Sequence, residues 1–219
     1  MSTVTLTDLI TRVRQAADMV NTTFVTDAEI TNYINSGATE LYEILVNTFC
    51  DYFTTKTDIA LVADQSEYFL PSNFYRLIKV FCIYDGDRYN TRKIDIDLLD
   101  TRSKSLYATD DVRALRYYFC ADQICFAPAP PTTGTIEMWY VPQMTRLEYG
   151  GDTLSISIPV AWDEAIVLDA ASACLAKEET DNSFLMGKKR AIIERIATYA
   201  RERDSAEADM MVDYYGRFV

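Results

Sequence analysis

Residues 25–53 read VTDAEITNYINSGATELYEILVNTFCDYF, and this stretch decides the helical part of the fold. Thr26 and Glu29 form the pattern Thr-x-x-Glu, in which each side chain bonds the backbone N–H of the other residue at a helix start. Apolar residues then recur at helical spacing, at Ile30, Ile34, Leu41, Ile44, Leu45 and Phe49. The spacing predicts one long amphipathic helix whose apolar stripe packs into a core.

A shorter helix precedes it. Its apolar stripe consists of Leu6, Leu9, Ile10, Val13, Ala17 and Val20. Thr5 and Asp8 provide a weaker cap of the same kind. Residues 21–23 are poor helix formers, so the sequence predicts two helices joined by a short polar connection.

Residues 54–147 change from helical spacing to a period of two, which is typical of strands. The alternation predicts strands at 57–62, 67–70, 74–84, 88–97, 115–120, 124–127 and 135–141. Turn residues separate them, most clearly at Asp85-Gly86-Asp87 and at Ala121-Asp122-Gln123. A short helix is predicted at 97–107.

Helical spacing returns after Gly150-Gly151. Residues 161–176 are apolar on most faces, which predicts a deeply packed helix, and residues 183–207 predict a further helix. The fold class is therefore predicted as α+β, with a helical bundle formed by residues 1–53 and 155–209. An antiparallel β-rich lobe, residues 54–150, is inserted between these segments, and residues 206–219 form a C-terminal tail.

Composition is that of an ordinary soluble globular protein, with 219 residues, 49% hydrophobic and 25% charged. No apolar run is long enough to cross a bilayer, and the N-terminus lacks a signal-peptide pattern. We therefore expect synthesis in the cytoplasm and no membrane partner. The five cysteines have wide spacing and apolar neighbours, which predicts buried thiols instead of a zinc site.

The charge of the chain restricts its function. The net charge is −12 and histidine is absent, which removes the commonest general base and metal ligand. Acidic side chains concentrate in the predicted helices: residues 1–60 hold eight acids and three bases, and residues 148–181 hold eight acids and one base. An acidic surface repels phosphate, so sequence-specific nucleic-acid binding is not expected. Solubility explains the acidity equally well.

The densest group of carboxylates consists of Asp85, Asp87, Asp95, Asp97 and Asp100. Such a group can hold Mg²⁺ for phosphoryl chemistry, and a carboxylate-dependent metal enzyme is the less favoured alternative. Turn and strand-surface positions explain the same residues more simply. No phosphate-binding loop or nucleophile motif is present. The sequence therefore predicts no catalytic residues, no metal and no cofactor.

The C-terminal residues are unusual for a chain end in solvent. Two methionines and three aromatic residues lie within nine positions, at Met210, Met211, Tyr214, Tyr215 and Phe218. Apolar groups of this kind either fold back onto their own domain or dock on a partner. We favour docking, and these five residues are the predicted partner-binding residues.

Several segments resemble the head-to-tail adaptor, or tail tubular protein A-like, family of tailed bacteriophages. They are LTDLITRVRQAADM (6–19), TDAEITNYINSGATELYEIL (26–45), YFLPSNFYRLIKV (68–80), YYFCADQICFAPAPPTTGTIEMWYVPQMTRL (117–147) and IPVAWDEAIVLDAASACLAKEE (158–179). Each segment is degenerate, and their shared order carries the resemblance.

The resemblance implies a structural virion protein at the head–tail junction, without catalytic residues. It implies a homo-oligomeric ring of twelve copies between the portal protein and the distal tail or nozzle protein. Double-stranded DNA would pass through the ring without sequence-specific binding. The family's C-terminal extension, which reaches the portal, corresponds here to residues 206–219. Another tail-completion or minor tail protein is the alternative within this class.

Overall fold

The computed structural model describes residues 4–20, 24–48, 53–99, 114–148 and 162–202. The chain divides into two compact units, one of Met1–Phe49 with Arg146–Val219 and the other of Cys50–Thr145. The described helices lie in the first, the helical unit, and the strands lie in the second, the sheet unit. The predicted α+β class is confirmed.

The helical unit contains four described α-helices. They are α1 (Leu6–Ala16), α2 (Asp27–Thr48), α3 (Asp163–Lys177) and α4 (Ser183–Glu202). Helix α3 contacts each of the other three. Its side chains are buried on most faces, as its apolar sequence predicts. Within the described helices, none is long and apolar enough to cross a membrane.

Both predicted helix starts are confirmed. At α2, the Thr26 N–H donates to the Glu29 carboxylate at 3.0 Å, and the Glu29 N–H donates to the Thr26 hydroxyl at 3.3 Å. At α1, the Thr5 hydroxyl accepts from the Asp8 N–H at 3.2 Å. These bonds satisfy backbone donors that a helix start otherwise leaves unpaired. The predicted extension of α2 to Phe53 includes residues 49–52, which lie outside the described part of the chain.

The four charged side chains of α3 each pair with another helix. Asp163 and Glu164 both accept from Arg12 of α1, with 2.8 Å between the Arg12 and Glu164 atoms. Lys177 donates to Glu29 of α2 at 2.7 Å. These pairs connect the start of α3 to α1 and its end to α2.

Asp169 is the remaining charged residue of α3. It shares Lys189 of α4 with Glu40 of α2, so this cluster joins three helices. Lys189 of α4 is only 7% exposed, and its ammonium group donates to Asp169 at 2.6 Å and to Glu40 of α2 at 2.7 Å. Burial alone lowers the pKa of Lys189, but the two carboxylates offset this effect and raise its pKa above the usual value. A buried charge needs such partners, because an unpaired one is strongly destabilising.

Helices α2 and α3 approach closely where Gly37 faces Asp169. A Cβ atom at position 37 would lie 2.9 Å from Asp169 Oδ2 and 3.1 Å from Asp169 Cβ. Asp169 cannot move away freely, since it holds Lys189. Glycine is therefore required at position 37 by a contact that helical spacing does not reveal.

We predict that Gly37→Ala lowers the free energy of unfolding by about 1–3 kcal/mol, because the new methyl group displaces Asp169. Gly187→Ala is the matched control in α4, where an added Cβ meets no atom within 4 Å. It should raise stability by about 0.5–1 kcal/mol through helix propensity. Urea unfolding followed by circular dichroism at 222 nm measures both. Equal effects of the two substitutions would contradict the close approach.

The sheet unit forms a seven-stranded sheet in the order β1-β7-β3-β4-β5-β6-β2. Its strands are β1 (Thr55–Leu61), β2 (Glu67–Phe69), β3 (Phe74–Tyr84), β4 (Asp87–Lys93), β5 (Arg116–Cys120), β6 (Gln123–Ala127) and β7 (Gly134–Pro142). All seven predicted strands are present. Strand β4 ends at Lys93, four residues before the predicted end, and the ends of the other strands differ by at most two residues. A single 3₁₀ turn at Ile96–Leu98 stands where the short helix was predicted to begin, and residues 100–113 lie outside the described part.

The prediction of a purely antiparallel sheet is wrong at one pair. Strands β4 and β5 run parallel, with Arg92 opposite Arg116 and Lys93 opposite Tyr117. A parallel pair needs a crossover connection of about a dozen or more residues, and residues 94–115 provide it. Turn residues indicate only local hairpins, so the sequence contained no signal for this crossover.

The strongest predicted hairpin joins β3 to β4. Asp85 and Gly86 both have positive φ, 50° and 87°, and Tyr84 pairs with Asp87. Two positive φ values in a two-residue loop match the twist of the flanking strands. The hairpin at Ala121-Asp122 is likewise present, with Cys120 opposite Gln123.

Three of the described cysteines are buried, namely Cys82, Cys125 and Cys174, as predicted. Cys120 is exposed, so the prediction of a buried thiol is wrong there. It is the last residue of β5 and borders the hairpin loop, where the sheet no longer covers its side chain.

Three tyrosines are buried in the core of the sheet unit, Tyr68, Tyr84 and Tyr140, and the hydroxyls of the first two differ in their bonding. The Tyr68 hydroxyl accepts from the Val62 N–H at 3.0 Å and donates to the Gln65 carbonyl at 2.9 Å. The Tyr84 hydroxyl is buried and has no hydrogen-bond partner within the described residues. A buried hydroxyl without a partner loses its hydration and gains nothing in return.

We predict that Tyr84→Phe raises the free energy of unfolding by about 1 kcal/mol, because it removes only the unpaired hydroxyl. Tyr68→Phe is the control and should lower it by about 1–2 kcal/mol, since Val62 and Gln65 then lose their partner. Urea unfolding of both variants measures the difference. A loss of stability in Tyr84→Phe would show that its hydroxyl is bonded.

Candidate interaction surfaces

The predicted partner-binding residues lie outside the described part of the chain. They are Met210, Met211, Tyr214, Tyr215 and Phe218. Their docking role stays a prediction. The described residues instead show two surfaces of opposite charge, one in each unit.

The first surface is the side of the sheet that faces away from the apolar core of the sheet unit. Strand alternation and the pairing register place Asp58, Glu137, Phe81 and Asn90 in one row across β1, β7, β3 and β4. Lys56, Trp139 and Lys79 form the next row. We call this side of β1, β7, β3 and β4 the outer sheet face.

Glu137 organises the centre of the outer sheet face. The Trp139 indole N–H donates to it at 2.7 Å, Lys56 donates at 3.2 Å, and Arg88 forms an ion pair with it. The Trp139 hydrogen bond and the two cations lower the pKa of Glu137. The carboxylate thus holds three side chains from three strands in fixed positions.

Phe81 lies beside Glu137 between two cations. The Arg88 guanidinium is 3.6 Å from the Phe81 ring centroid, and the Lys79 ammonium is 4.9 Å from it. Both distances are within the range of cation–π attraction. A surface cavity of about 410 Å³ opens here, which we call the Phe81 groove; its lining is Thr54, Ile78, Lys79, Phe81, Arg88 and Trp139.

The outer sheet face is basic although the chain is acidic. Its cations are Lys56, Lys79, Arg88 and, by the alternation of β4, Arg92. Its carboxylates are Asp58 and Glu137. Lys79 forms no ion pair with any described residue. The outer sheet face can therefore attract a negatively charged partner, because its cations outnumber its carboxylates around the rings of Phe81 and Trp139.

The helical unit carries the acidic excess of the chain, and we call its exposed side chains together the acidic helical surface. Many carboxylates of this unit are held in ion pairs, at Asp8, Asp27, Glu29, Glu40, Asp163, Glu164 and Asp169. The exposed carboxylates of Asp18, Glu43, Glu178 and Glu179 form no ion pair with the residues that the structure describes. The helical unit therefore carries negative charge at these four residues that no ion pair with a described residue offsets.

Glu29 makes this unit sensitive to acid. The Lys177 hydrogen bond, with the backbone and hydroxyl of Thr26, lowers the pKa of Glu29 from 4.5 to about 2. Its pKa in the unfolded chain is about 4.3. Because folding lowers the pKa, Glu29 stabilises the fold above about pH 4.5, and this contribution is lost as the pH falls toward 2.

We predict that Glu29→Gln lowers the melting temperature at pH 7 and that its difference from wild type shrinks between pH 5 and pH 2. Glu43→Gln is the control, since Glu43 is exposed and forms no ion pair within the described helices. Thermal unfolding at stepwise pH measures both. A difference for Glu29→Gln that is constant with pH would contradict the shifted pKa.

The aspartates weighed as a magnesium site lie in or beside turns where they are described. The predicted strand-surface position of Asp95 and Asp97 is wrong, because β4 ends at Lys93; Asp95 directly precedes the 3₁₀ turn at Ile96–Leu98, and Asp97 lies in it. Asp85 forms the β3–β4 hairpin turn, and the Asp87 carboxylate accepts from the Tyr89 hydroxyl at 3.2 Å. No group of three or more candidate metal ligands exists among the described residues. Asp100 lies outside them.

Sequence reasoning missed the Phe81 groove. The alternation of β3 and β7 already placed Phe81 and Lys79 on one side of the first strand, and Glu137 and Trp139 on one side of the second. The register between these strands was missing, and the register alone brings the four side chains together.

Aromatic residues and arginine, which the outer sheet face presents together, are enriched at protein–protein interfaces. The family model described as SU10 adaptor protein matches residues 4–214, which is nearly the whole chain. Comparison with curated proteins gives no match. The chain belongs to the SU10 adaptor protein family.

This membership confirms the resemblance to a phage adaptor family. It indicates a bacteriophage protein and a virion component. It also suggests a structural role instead of a catalytic one.

Proposed function

We propose that this protein is a head-to-tail adaptor, a ring of twelve copies that joins the portal to the tail and surrounds part of the DNA channel. The observation that carries the proposal is the family match over residues 4–214, which includes both units. An adaptor needs surfaces for neighbouring copies and for two different partners. The outer sheet face and the acidic helical surface are suited to such contacts.

In each subunit, α1 to α4 would form the helical bundle that gives the ring its rigid body. The supporting observation is the position of α3, whose four charged side chains pair with α1, α2 and α4. Such cross-links restrict how the helices slide past one another. A ring that transmits force between head and tail requires this rigidity.

The acidic helical surface would line the channel through which double-stranded DNA passes. Carboxylates repel the phosphate backbone, so the genome slides without binding to the wall. Asp18 and Glu43 are the acids best suited to this role, because they are exposed and form no ion pair within the described helices. Carboxylates already paired with arginine or lysine contribute much less repulsion.

The C-terminal tail, residues 206–219, would dock on the portal through its methionines and aromatic residues. Apolar side chains give affinity when they enter pockets of a partner. The distal tail or nozzle protein would contact another part of the ring.

We predict that truncation after Asp204 abolishes binding to purified portal while helices α1 to α4, which end before this position, stay folded. Tyr214→Ser with Tyr215→Ser should weaken portal binding without removing any backbone. Sedimentation of the mixed proteins measures binding, and electron microscopy of the complex shows the copy number and the residues that line the channel.

Normal portal binding by the truncated chain would show that the tail does not dock there. A chain that binds the distal tail but not the portal would be a tail-completion or minor tail protein instead. A channel lined by basic residues would contradict the proposed role of Asp18 and Glu43.

A further inference from the structure

We infer that the Phe81 groove of one copy receives the turn between α3 and α4 of a second copy of this chain. We call this turn, with residues Glu178, Glu179, Asp181 and Phe184, the acidic turn. The inference rests on the proposed function, in which copies associate, and it identifies the surfaces that meet. The groove and the turn are complementary in charge, and each carries aromatic surface.

The acidic turn has a defined conformation. Glu179 has a φ of 56°, and the Thr180 N–H donates to the Leu175 carbonyl at 3.0 Å, which ends α3. The Asp181 carboxylate accepts from the Ser183 N–H at 3.0 Å and so caps α4. These local bonds order the turn before any partner arrives, so docking requires little loss of conformational entropy.

Phe184 projects from this turn at the start of α4 and is 70% exposed. Among the described residues, the Lys188 ammonium contacts the Phe184 ring, 4.5 Å from its centroid. Glu178 and Glu179 are exposed nearby and form no ion pair with described residues. The turn therefore presents an aromatic ring together with three carboxylates, and its charge stays negative although Lys188 lies beside the ring.

The Phe81 groove offers the opposite chemistry. Ile78, Trp139 and Phe81 are half-buried and leave apolar surface for an entering ring, although Arg88 lies over part of Phe81. Lys79 lies at the edge without an ion-pair partner among the described residues, and Arg88 is half-exposed although it contacts Glu137. An aromatic ring with flanking carboxylates satisfies both features of the groove at once.

Phe69 provides an internal comparison. It is also 70% exposed, but it lies on strand β2, and the six residues before it contain two acids, Asp64 and Glu67. Exposure alone therefore does not distinguish the two phenylalanines. Three acids precede Phe184 within six residues, in a turn that the Asp181–Ser183 bond orders, and this charge selects Phe184 as the residue that enters the basic groove.

The proposed contact is between two copies, and each copy contributes a different surface. The groove belongs to the sheet unit and the acidic turn to the helical unit, so each copy offers one of each. Such a head-to-tail contact repeats from copy to copy and closes into a ring when the rotation allows it. Charge attraction between the surfaces should make association faster at low salt and weaker at high salt.

The first test replaces Phe184 by the photo-crosslinking residue benzoylphenylalanine in the full chain, with Phe69 replaced in the same way as the control. Isotope-labelled and unlabelled copies are mixed, so that mass spectrometry separates contacts between copies from contacts within one. We expect crosslinks from position 184 to residues 78–88 or to Trp139 of another copy, and none of these from position 69. Crosslinks from position 184 to the portal, or to another part of a neighbouring copy, would overturn the inference.

The second test exchanges charges across the contact. Lys79→Glu, or Glu178→Lys with Glu179→Lys, should each weaken self-association about tenfold, and the combined variant should regain most of it. Lys93→Glu is the control for Lys79→Glu, because Lys93 is exposed at the end of β4 and does not line the groove. Sedimentation velocity of the full chain at two salt concentrations, with and without portal, measures the association.

The outcomes separate this contact from the proposed function. If rings still form on the portal with either set of charge changes, the inferred contact is wrong but the adaptor role is not contradicted. Self-association that follows the charge exchange without any portal binding would support the contact and contradict the adaptor role. Absence of any association between wild-type copies, with or without portal, would overturn both.

Discussion

The helical unit depends on how the buried helix α3 satisfies its few charges. A helix that is apolar on most faces stabilises the fold when it is buried. Each charged side chain on such a helix loses its hydration, and this cost is offset only by an ion pair or hydrogen bond. Asp163 and Glu164 pair with α1, Asp169 with α4, and Lys177 with α2. The same bonds that remove this penalty also determine which helix lies beside which part of α3. Burial supplies the driving force in this unit, and the ion pairs supply its specificity.

A comparable principle organises the outer sheet face around Glu137. One carboxylate holds Trp139, Lys56 and Arg88, and Arg88 in turn covers Phe81. The result is a surface that is ordered before it meets a partner, because its long side chains are already restrained. In the helical unit the ion pairs consume carboxylates, so the remaining acidity is concentrated at exposed positions such as Glu43 and Glu178. Pairing within each unit thus shapes what each unit presents to other molecules.

Local patterns predicted most of the secondary structure because the physics that forms it is local. The Thr26–Glu29 cap, the Asp85–Gly86 hairpin and the seven strands all follow from residues close together in sequence. The parallel pairing of β4 with β5 did not, because it depends on a crossover of some twenty residues whose direction no turn signal encodes. The Phe81 groove was missed for a related reason: its residues come from three strands and from Thr54 just before β1, and only the register of the strands aligns them. Cys120 shows the same limit at one position, since its neighbours in sequence are apolar but no neighbour in space covers it.

The sequence by itself determined the α+β class, the positions of the helices and strands, the acidic balance of the helical segments and the resemblance to phage adaptors. Hydrophobic period, capping residues and charge are properties of adjacent residues, so they can be read without coordinates. Tertiary structure alone decided which charges remain available. It pairs Arg12, Lys177 and Lys189 with particular carboxylates, requires glycine at position 37 and gathers Phe81, Trp139 and Lys79 into one groove. These features depend on distances between residues far apart in the chain, and such distances exist only after the helices and strands have packed.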